Sequence, residues 1–281
     1  MTTYALNGLG RIGKLVLRPL LERGAKIAFI NDVFGDPEMY AHLLQFDSIH
    51  GRWHADFSTD ESSITIDGIQ IPVTKESNLQ DLPLDGVDVL IDCTGAFKTE
   101  LKLSPYFLAG VKKVVVSAPV EGGTAANIVY GVNENTYDSD THKIITAASC
   151  TTNSLAPVVK VLMEGIGIKH GAFTTIHNLT NTQTIVDRPS RDLRRARSAL
   201  NNLIPTSTGS ANAITLIYPE LKGKLNGHAI RVPVLNASIN DCVFEMVRRV
   251  IFATIVKLHG SYVSCGHLEL ASCCWQLPQW H

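Results

Sequence analysis

A single cysteine, Cys150, lies in the stretch AASCTTNSLAP among small and hydroxyl side chains, directly before a helix-compatible apolar run. At a helix start, unpaired backbone N–H groups and the positive end of the helix dipole stabilise a thiolate and lower the thiol pKa. His177 lies near the end of the strand-like stretch GAFTTIHNLT, and a neighbouring imidazole activates a thiol for covalent catalysis. We therefore predict Cys150 as a nucleophile and His177 as its base. The alternative for Cys150 is a small core residue.

A second set of residues has the spacing of a dinucleotide site. Gly8, Gly10 and Gly13 form a G-x-G-x-x-G motif that follows a short apolar strand and opens a helix. Such glycines let the backbone turn tightly and approach a pyrophosphate at the helix N-terminus. Asp32 ends the next strand, at about the 20-residue offset of a carboxylate that binds the adenosine ribose. That carboxylate repels a 2′-phosphate, so we predict NAD rather than NADP. A tight turn without a ligand is the alternative.

An arginine-rich segment, VDRPSRDLRRARSALNNL, directly precedes the stretch IPTSTGSANAI, which contains a Thr-Ser-Thr-Gly loop. The formal net charge of the chain is -1, and the segment has no interleaved aromatic side chains, which argues against nucleic acid as a partner. Guanidinium groups beside hydroxyls and a glycine N–H suit phosphate oxygens better. We expect one anion pocket at Arg195, Thr208 and Gly209, and another at Arg231 and Thr180.

The elements that must position these residues divide into two patterns. Strand-like and helix-like segments alternate up to about residue 149, which predicts a Rossmann-type α/β domain with a parallel sheet and helices on both faces. The stretch SITIDGIQIPVT predicts a hairpin around Asp67 and Gly68. After Asn153 a helix is followed by alternating, half-buried strands. We therefore expect an α+β catalytic domain with a mostly antiparallel sheet, starting near Cys150.

Length and composition set the class of protein. The chain has 281 residues, of which 45% are hydrophobic, which is enough for a sizeable core. No N-terminal signal stretch and no run of about 18 apolar residues is present, so we expect a cytoplasmic protein that does not enter a membrane. The cysteines are then expected to stay reduced. Several tail residues could suggest a metal site, but their spacing fits no standard one, and we predict none. These residues are His259, Cys265, His267, Cys273, Cys274 and His281.

Over roughly residues 3–246 the chain resembles the glyceraldehyde-3-phosphate dehydrogenase family. The resemblance rests on NGLGRIG, QFDSIHGRW, SCTTN, HNLTNTQ, RDLRRARSA, IPTSTGSA, PELKGKLNG and RVPVLNAS, in family order and spacing. It implies that Cys150 attacks the aldehyde to give a thiohemiacetal, that His177 takes the thiol proton, and that hydride passes to NAD. The resulting thioester is cleaved by inorganic phosphate to the acyl phosphate, 1,3-bisphosphoglycerate.

The resemblance also assigns binding residues. The residues lining the attacking-anion side would be Ser149, Thr151, Arg195, Thr208 and Gly209. Thr180 and Arg231 would hold the substrate phosphate. The family's cofactor contacts match Arg11, Ile12, Asp32 and Ser117. Because the family's arginine-rich loop lies beside a neighbouring subunit's cofactor, a homotetramer is implied. Ser154 replaces the family's frequent second cysteine, which we expect to be harmless.

Three stretches are more similar to one branch of the family, encoded beside an arsenate-resistance efflux permease. These stretches are AHLLQFDSIHGRW, APVEGGTAANIVYGVN and RVPVLNASINDCVFEM. In that branch arsenate would replace phosphate as the attacking anion, and the permease would export 1-arseno-3-phosphoglycerate. Arsenate and phosphate have nearly the same shape and charge, so pocket geometry is not expected to separate them.

After about Met246 the resemblance ends, and the family's YDNEWGYS stretch and its nicotinamide-binding asparagine are absent. We therefore predict an NAD-binding domain at residues 1–149, an incomplete catalytic domain at 150–246 and a non-family tail at 247–281. This departure leaves two alternatives to glyceraldehyde 3-phosphate oxidation. One is a catalytically impaired homologue that binds NAD or joins a tetramer without turnover. The other is a related aldehyde substrate such as erythrose 4-phosphate.

Overall fold

The computed structural model describes residues 1–120 and 122–248, together with the strands at 256–258, 261–263 and 269–274. The chain divides into two compact units, Met1–Ala148 and Ser149–His281. In the described part of the chain, no helix is long and apolar enough to cross a membrane. His259, Cys265, His267 and His281, the tail residues weighed as metal ligands, lie outside the described residues. Within the described residues, no group of three or more His, Cys, Asp or Glu side chains could hold a metal ion.

The first unit is built on a nine-stranded sheet with helices between its strands. Its strands are β1 (Thr3–Asn7), β2 (Lys26–Asn31), β3 (Phe46–Asp47), β4 (Gly51–Arg52), β5 (Phe57–Thr59), β6 (Ser63–Ile66), β7 (Ile69–Thr74), β8 (Val89–Asp92), β9 (Lys113–Val116), β10 (Ala126–Asn127) and β11 (Ile144–Thr146). Its α-helices are α1 (Arg11–Glu22), α2 (Pro37–Gln45) and α3 (Glu100–Leu108), with short 3-10 turns at Leu79–Asp81 and Glu134–Thr136. The strand order is β10-β11-β9-β8-β1-β2-β7-β6-β5, while β3 and β4 form a separate ribbon.

The seven strands from β10 to β7 in this order pair in parallel. The Rossmann-type sheet is thus confirmed. The predicted hairpin is confirmed too, because β6 and β7 pair antiparallel through Asp67 and Gly68. Both turn residues have positive φ, 48° and 81°, which suits the twist of a two-residue hairpin loop.

Alternation along the strands explains why both faces of this sheet are covered. Ala5, Phe29 and Leu90 belong to one buried cluster, and their neighbours Leu6, Ile30 and Ile91 belong to another. Successive strand residues point to opposite faces, so each cluster lies on its own side of the sheet. Helix α3 adds Leu103 and Tyr106 to the first cluster, and α1 adds Leu17 to the second.

The order in which strands are added to the sheet reverses at β1, which pairs with β2 on one side and with β8 on the other. In open α/β sheets a ligand crevice forms at such a point, outside the carboxyl ends of the strands. Gly8, Asp32, Cys93 and Ser117 each directly follow β1, β2, β8 and β9 in turn. The predicted cofactor residues therefore lie along one edge of the sheet.

The second unit has a smaller sheet with the strand order β13-β14-β12-β15-β18. Its elements are α4 (Cys150–Gly165), β12 (Ile168–His177), β13 (Ile204–Ser207), α5 (Ser210–Ile217), β14 (Leu225–Arg231), β15 (Ser238–Met246), β16 (Val256–Leu258), β17 (Ser261–Val263) and β18 (Glu269–Cys274), with a 3-10 turn at Pro219–Leu221. Strands β12 and β14 are parallel, and the other pairs in this sheet are antiparallel. The mostly antiparallel second sheet is thus confirmed, and β18 from the tail pairs along β15.

A buried chain of hydrogen bonds crosses the carboxyl edge of the first sheet. The Tyr106 hydroxyl donates to the Asp92 carboxylate at 2.8 Å and accepts from the Asn7 amide at 2.7 Å. Asn7 in turn accepts from Asn31 at 2.8 Å. Burial raises the pKa of Asp92. Since Asn7 and Asn31 precede Gly8 and Asp32, this network holds the backbone from which the cofactor loops depart.

Replacing Tyr106 by phenylalanine should therefore destabilise the protein. The change leaves Asn7 without its acceptor and takes one donor from Asp92, and an unsatisfied buried polar group costs about 1–3 kcal/mol. Thermal or urea unfolding of Tyr106→Phe measures the loss. Tyr130→Phe is the matched control, because Tyr130 is 88% exposed and its change should stay within about 0.5 kcal/mol. Equal unfolding midpoints for the two variants would contradict the role of the network.

Candidate active site

Cys150 is the first residue of helix α4. The Ser149 side chain caps this helix by accepting a hydrogen bond from the Thr152 N–H at 3.2 Å. The preceding residue, Ala148, has a φ of 54°, which gives the chain a sharp turn before the cap. Cys150 is accessible to solvent. The thiol thus sits at the positive end of a 16-residue helix, where the dipole favours a negative charge.

His177 ends strand β12, and its side chain is buried. Its Nε2 lies 3.5 Å from the Cys150 Sγ. On the other side of the ring, Nδ1 lies 2.8 Å from the Asn178 carbonyl oxygen and 2.7 Å from Arg231 Nη1. A guanidinium only donates, so Nδ1 accepts from Arg231 in one tautomer and donates to Asn178 in the other. In the second tautomer Nε2 is free to take the thiol proton.

The pKa of Cys150 shifts in the opposite direction from those of Cys93 and Cys242. The hydrogen bond with His177 lowers the pKa of Cys150, and this exceeds the opposing effect of partial desolvation of the sulfur. Burial instead raises the pKa of Cys93 to about 11 and that of Cys242 to about 12. Among the three cysteines whose side chains are described, the thiolate is therefore favoured at Cys150. The sequence prediction of a Cys–His pair has a matching geometry.

Two arginines of the second unit form a cationic region beside this pair. Arg231 also donates to the Asn178 carbonyl at 3.2 Å, and its Nε is buried with no hydrogen-bond partner among the described residues. Burial, and then the positive charge of Arg195, lowers the pKa of Arg231. Arg195 donates to Thr182 Oγ1 at 3.0 Å. Two guanidiniums in mutual repulsion, one with an unused buried donor, are suited to an anionic ligand.

The remaining predicted substrate residues have different surroundings. Thr180 is exposed and shares a hydrogen bond with Thr182 at 2.9 Å, so it joins Arg195 through that residue. Thr208 interacts with Ser210 at 3.1 Å, and no hydrogen bond or ion pair within the described chain joins it to Arg195. Gly209 is exposed at the N-terminus of α5, where no side chain caps the helix. Thr151 is buried beside Cys150. The structure thus links Cys150, His177 and Arg231 directly, and Thr151 also hydrogen-bonds Cys150. Thr180 is linked to Arg195 through Thr182.

In the first unit, the glycine motif has the geometry of a phosphate cradle. A Cβ at Gly8, whose φ is 95°, would lie 2.6 Å from the Thr94 nitrogen, and one at Gly13 would lie 1.9 Å from the Gly8 oxygen. Glycine is thus required at both positions. Gly10 is exposed and leaves the start of α1 without a side-chain cap. The first N–H groups of the helix are therefore open to a pyrophosphate, and these residues fit a dinucleotide.

Asp32 connects the two loops at the edge of this sheet. Its carboxylate accepts from the Leu9 N–H at 2.7 Å and from the Phe34 N–H at 3.1 Å. The Asp32 side chain is half-buried, and Ser117 is likewise half-buried after β9. Both positions are compatible with a cofactor lying along the strand ends.

Arg11 and Ile12 begin helix α1, and Ile12 is half-exposed. The Arg11 guanidinium pairs with the Asp47 carboxylate, a partner that the sequence prediction missed although it lies in the quoted QFDSIHGRW stretch. Burial favours the neutral acid at Asp47, but hydrogen bonds from Arg11 and the His50 and Ile49 N–H groups hold its pKa well below the usual range. Asp47 therefore anchors Arg11 at the helix start.

The chain matches two family models and many curated proteins. Residues 2–100 match the glyceraldehyde 3-phosphate dehydrogenase NAD binding domain, and residues 149–265 match the C-terminal domain. The second match continues past Met246, so the predicted end of the resemblance at about Met246 is not confirmed. A Nostoc sp. glyceraldehyde-3-phosphate dehydrogenase 3 is 54% identical over 250 residues, covering 86% of this chain and 73% of that protein. A Bacillus cereus glyceraldehyde-3-phosphate dehydrogenase 1 is 43% identical over 273 residues, covering 96% and 80%. A Streptomyces coelicolor glyceraldehyde-3-phosphate dehydrogenase is 48% identical over 249 residues, covering 87% and 74%.

Both units are thus accounted for by one family, and the motifs that predicted it occupy the two sites just described. The chain belongs to the glyceraldehyde-3-phosphate dehydrogenase family, and its first unit contains that family's NAD-binding domain.

Proposed function

We propose that this protein oxidises glyceraldehyde 3-phosphate with NAD through a thioester on Cys150. Inorganic phosphate or arsenate then cleaves the thioester to 1,3-bisphosphoglycerate or 1-arseno-3-phosphoglycerate. The observation that carries the proposal is the 3.5 Å contact between Cys150 Sγ and His177 Nε2 at the start of α4, in a chain of this family. The helix start and the imidazole both favour the thiolate, which is the reactive form of cysteine.

The chain's own residues account for the proton transfers. His177 Nε2 takes the proton from Sγ, and the thiolate adds to the aldehyde carbon to form a thiohemiacetal. The protonated Nε2 delivers that proton to the developing oxyanion and takes it back as the thiohemiacetal is oxidised. NAD, when bound, accepts the hydride that leaves this carbon. The attacking anion then displaces Sγ from the acyl carbon, which regenerates the thiolate.

The cationic region supplies the binding of anions. Arg231 and Thr180 are proposed to hold the substrate phosphate, which would satisfy the unpartnered Nε of Arg231. The attacking anion is proposed to bind the residues Ser149, Thr151, Arg195, Thr208 and Gly209. Positive charge there also stabilises the thiolate, since Cys150 and Arg231 attract each other.

The cofactor residues have separate roles in this proposal. The backbone of Gly8, Gly10 and Gly13 admits the pyrophosphate to the start of α1. Asp32 binds the adenosine ribose hydroxyls, and its charge repels a 2′-phosphate. Three further contacts are proposed at Arg11, Ile12 and Ser117, which lie at the helix start and at the end of β9.

The proposal also includes arsenate as an attacking anion and the cytoplasm as the location of the protein. Arsenate and phosphate carry similar charge in similar tetrahedral shapes, so donors that bind one will bind the other. A free, reactive thiol at Cys150 requires a reducing compartment, which supports the cytoplasm. Arsenate resistance would follow if a permease exports the arsenylated product.

We expect NADH to form when the protein is mixed with NAD, glyceraldehyde 3-phosphate and either phosphate or arsenate. Because the thioester needs sulfur, Cys150→Ser should form no measurable NADH, whereas Cys242→Ala should keep the wild-type rate. The measurement is the absorbance of NADH over time.

Other outcomes of this assay distinguish the alternatives. Folded protein that binds NAD without turnover would support the impaired homologue. A higher specificity constant for erythrose 4-phosphate than for glyceraldehyde 3-phosphate would make erythrose 4-phosphate the preferred substrate. Equal rates with NADP would contradict the role of Asp32.

The reactivity of Cys150 should depend on pH in a defined direction. Since His177 lowers the pKa of this thiol, its alkylation should reach half of its maximal rate below about pH 8.5, the usual cysteine pKa. His177→Asn removes the hydrogen bond, so the midpoint should rise, and turnover should fall by about 10²–10⁴-fold. Iodoacetamide labelling across pH, quantified on the Cys150 peptide by mass spectrometry, measures the midpoint. An unchanged midpoint in the variant would argue against this pair.

We also propose a homotetramer, supported by exposed apolar side chains in the second unit. Ile239 and Val243 point away from the buried face of β15, and the arginine-rich segment exposes Val186, Leu193 and Leu203. Large apolar side chains exposed on one strand face, as on β15, are the kind of surface that a subunit contact buries. Sedimentation should give four times the chain mass, and Val243→Asp should lower the mass. A monomer in the wild-type protein would overturn this proposal.

A further inference from the structure

Three polar side chains inside the second unit form a chain of hydrogen bonds. Thr175 Oγ1 donates to Asn240 Oδ1 at 2.7 Å, and Asn240 Nδ2 donates to Ser154 Oγ at 2.8 Å. The exposed fractions of Ser154, Thr175 and Asn240 are 8%, 1% and 2%. The three residues belong to α4, β12 and β15, so Asn240 joins the helix to both strands.

This buried trio, Ser154–Asn240–Thr175, lies beside the Cys150–His177 pair in the fold. Ser154 follows Cys150 by four residues on α4, which places both on one side of the helix. Thr175 precedes His177 by two residues on β12, which places both on one face of the sheet. Asn240 pairs opposite Thr175, in the same ladder in which Ser238 pairs opposite His177. The trio therefore forms a second polar contact between α4 and the sheet, adjacent to the Cys150–His177 contact and buried.

The hydrogen bonds of the trio are directional, so they restrict how α4 can rotate on its strands. Apolar contacts between a helix and a sheet have no preferred angle, so they permit small rotations of α4 on its strands. A buried amide is satisfied only where its partners are placed, and losing one partner leaves an unsatisfied polar group. The Cys150–His177 contact joins α4 to β12 across 3.5 Å between Sγ and Nε2, so a displacement of α4 on its strands changes this separation directly.

We propose that Asn240 is a positioning residue that, through Ser154 and Thr175, sets the rotation of α4 on β12 and thereby the Cys150–His177 separation. The inference rests on the proposed function, in which this pair is the catalytic centre. It also assigns a role to Ser154, which the sequence prediction treated as a harmless replacement.

The test compares Ser154→Ala and Asn240→Val with a matched variant, Cys242→Ala. Cys242 is buried on the same face of β15, two residues from Asn240, and its loss removes core packing without touching the trio. The readout is the rate of Cys150 alkylation by iodoacetamide across pH, with the thermal unfolding midpoint measured in parallel. Ser154→Thr, which keeps a hydroxyl, is the rescue variant.

We expect Ser154→Ala and Asn240→Val to lower the alkylation rate at neutral pH by about 3–10-fold, which corresponds to about 0.5–1 unit in the pH midpoint. Cys242→Ala should lower the unfolding midpoint and leave the alkylation profile as in the wild type, and Ser154→Thr should retain most of the rate. If Asn240→Val does not fold, Ser154→Ala carries the test, since alanine is favourable in a helix.

The outcomes separate this inference from the function on which it rests. A wild-type midpoint equal to that of a free cysteine would overturn the Cys150–His177 proposal itself. A low wild-type midpoint that persists in Ser154→Ala and Asn240→Val would overturn only the positioning role. An equal shift in Cys242→Ala would show that general loosening of the core has the same effect, and would also overturn it.

Discussion

The proposed chemistry of the second unit depends on the contact between Cys150 and His177. Desolvation alone raises the pKa of a thiol, as at Cys93 and Cys242, and a neutral thiol is a poor nucleophile. The hydrogen bond with His177 reverses that direction at Cys150. The sulfur must therefore stay at a helix start and within reach of an imidazole that belongs to a strand. Ser149 fixes the helix start and Asn178 orients the ring.

Two positively charged side chains of the second unit, Arg195 and Arg231, lie near the Cys150–His177 contact. Arg195 and Arg231 repel each other, which a structure tolerates when an anion joins them. Both the substrate and the attacking group are anions, and so is the thiolate. In the proposed function, Arg231 thus favours the thiolate of Cys150, and both guanidiniums attract the anions with which it reacts. Because Arg231 also contacts His177 Nδ1, an anion bound at Arg231, as proposed, would also affect the tautomer of His177.

In the first unit the candidate site consists mainly of backbone N–H groups at the start of α1, not of side chains. The start of α1 offers uncapped N–H groups only because Gly8 and Gly13 let strand, turn and helix approach so closely. The buried Asp92–Tyr106–Asn7–Asn31 network holds the strand ends behind these loops. Asp32 adds the link between the loops themselves. The strand ends next to the proposed cofactor site are therefore held by buried hydrogen bonds.

Local pattern in the sequence was sufficient to predict the two sheet classes, the glycine cradle with Asp32, and Cys150 at a helix start. These features depend on the repeats of strands and helices and on short-range backbone geometry, which neighbouring residues encode. The partners of the site were decided by tertiary structure. Asp47 on Arg11, Arg231 on His177 and Asn240 on Ser154 have no local signature of pairing, and the last pair is separated by 86 positions. Only the packing of helices and strands within each unit brings such side chains together, because a hydrogen bond between distant residues requires the fold to exist first.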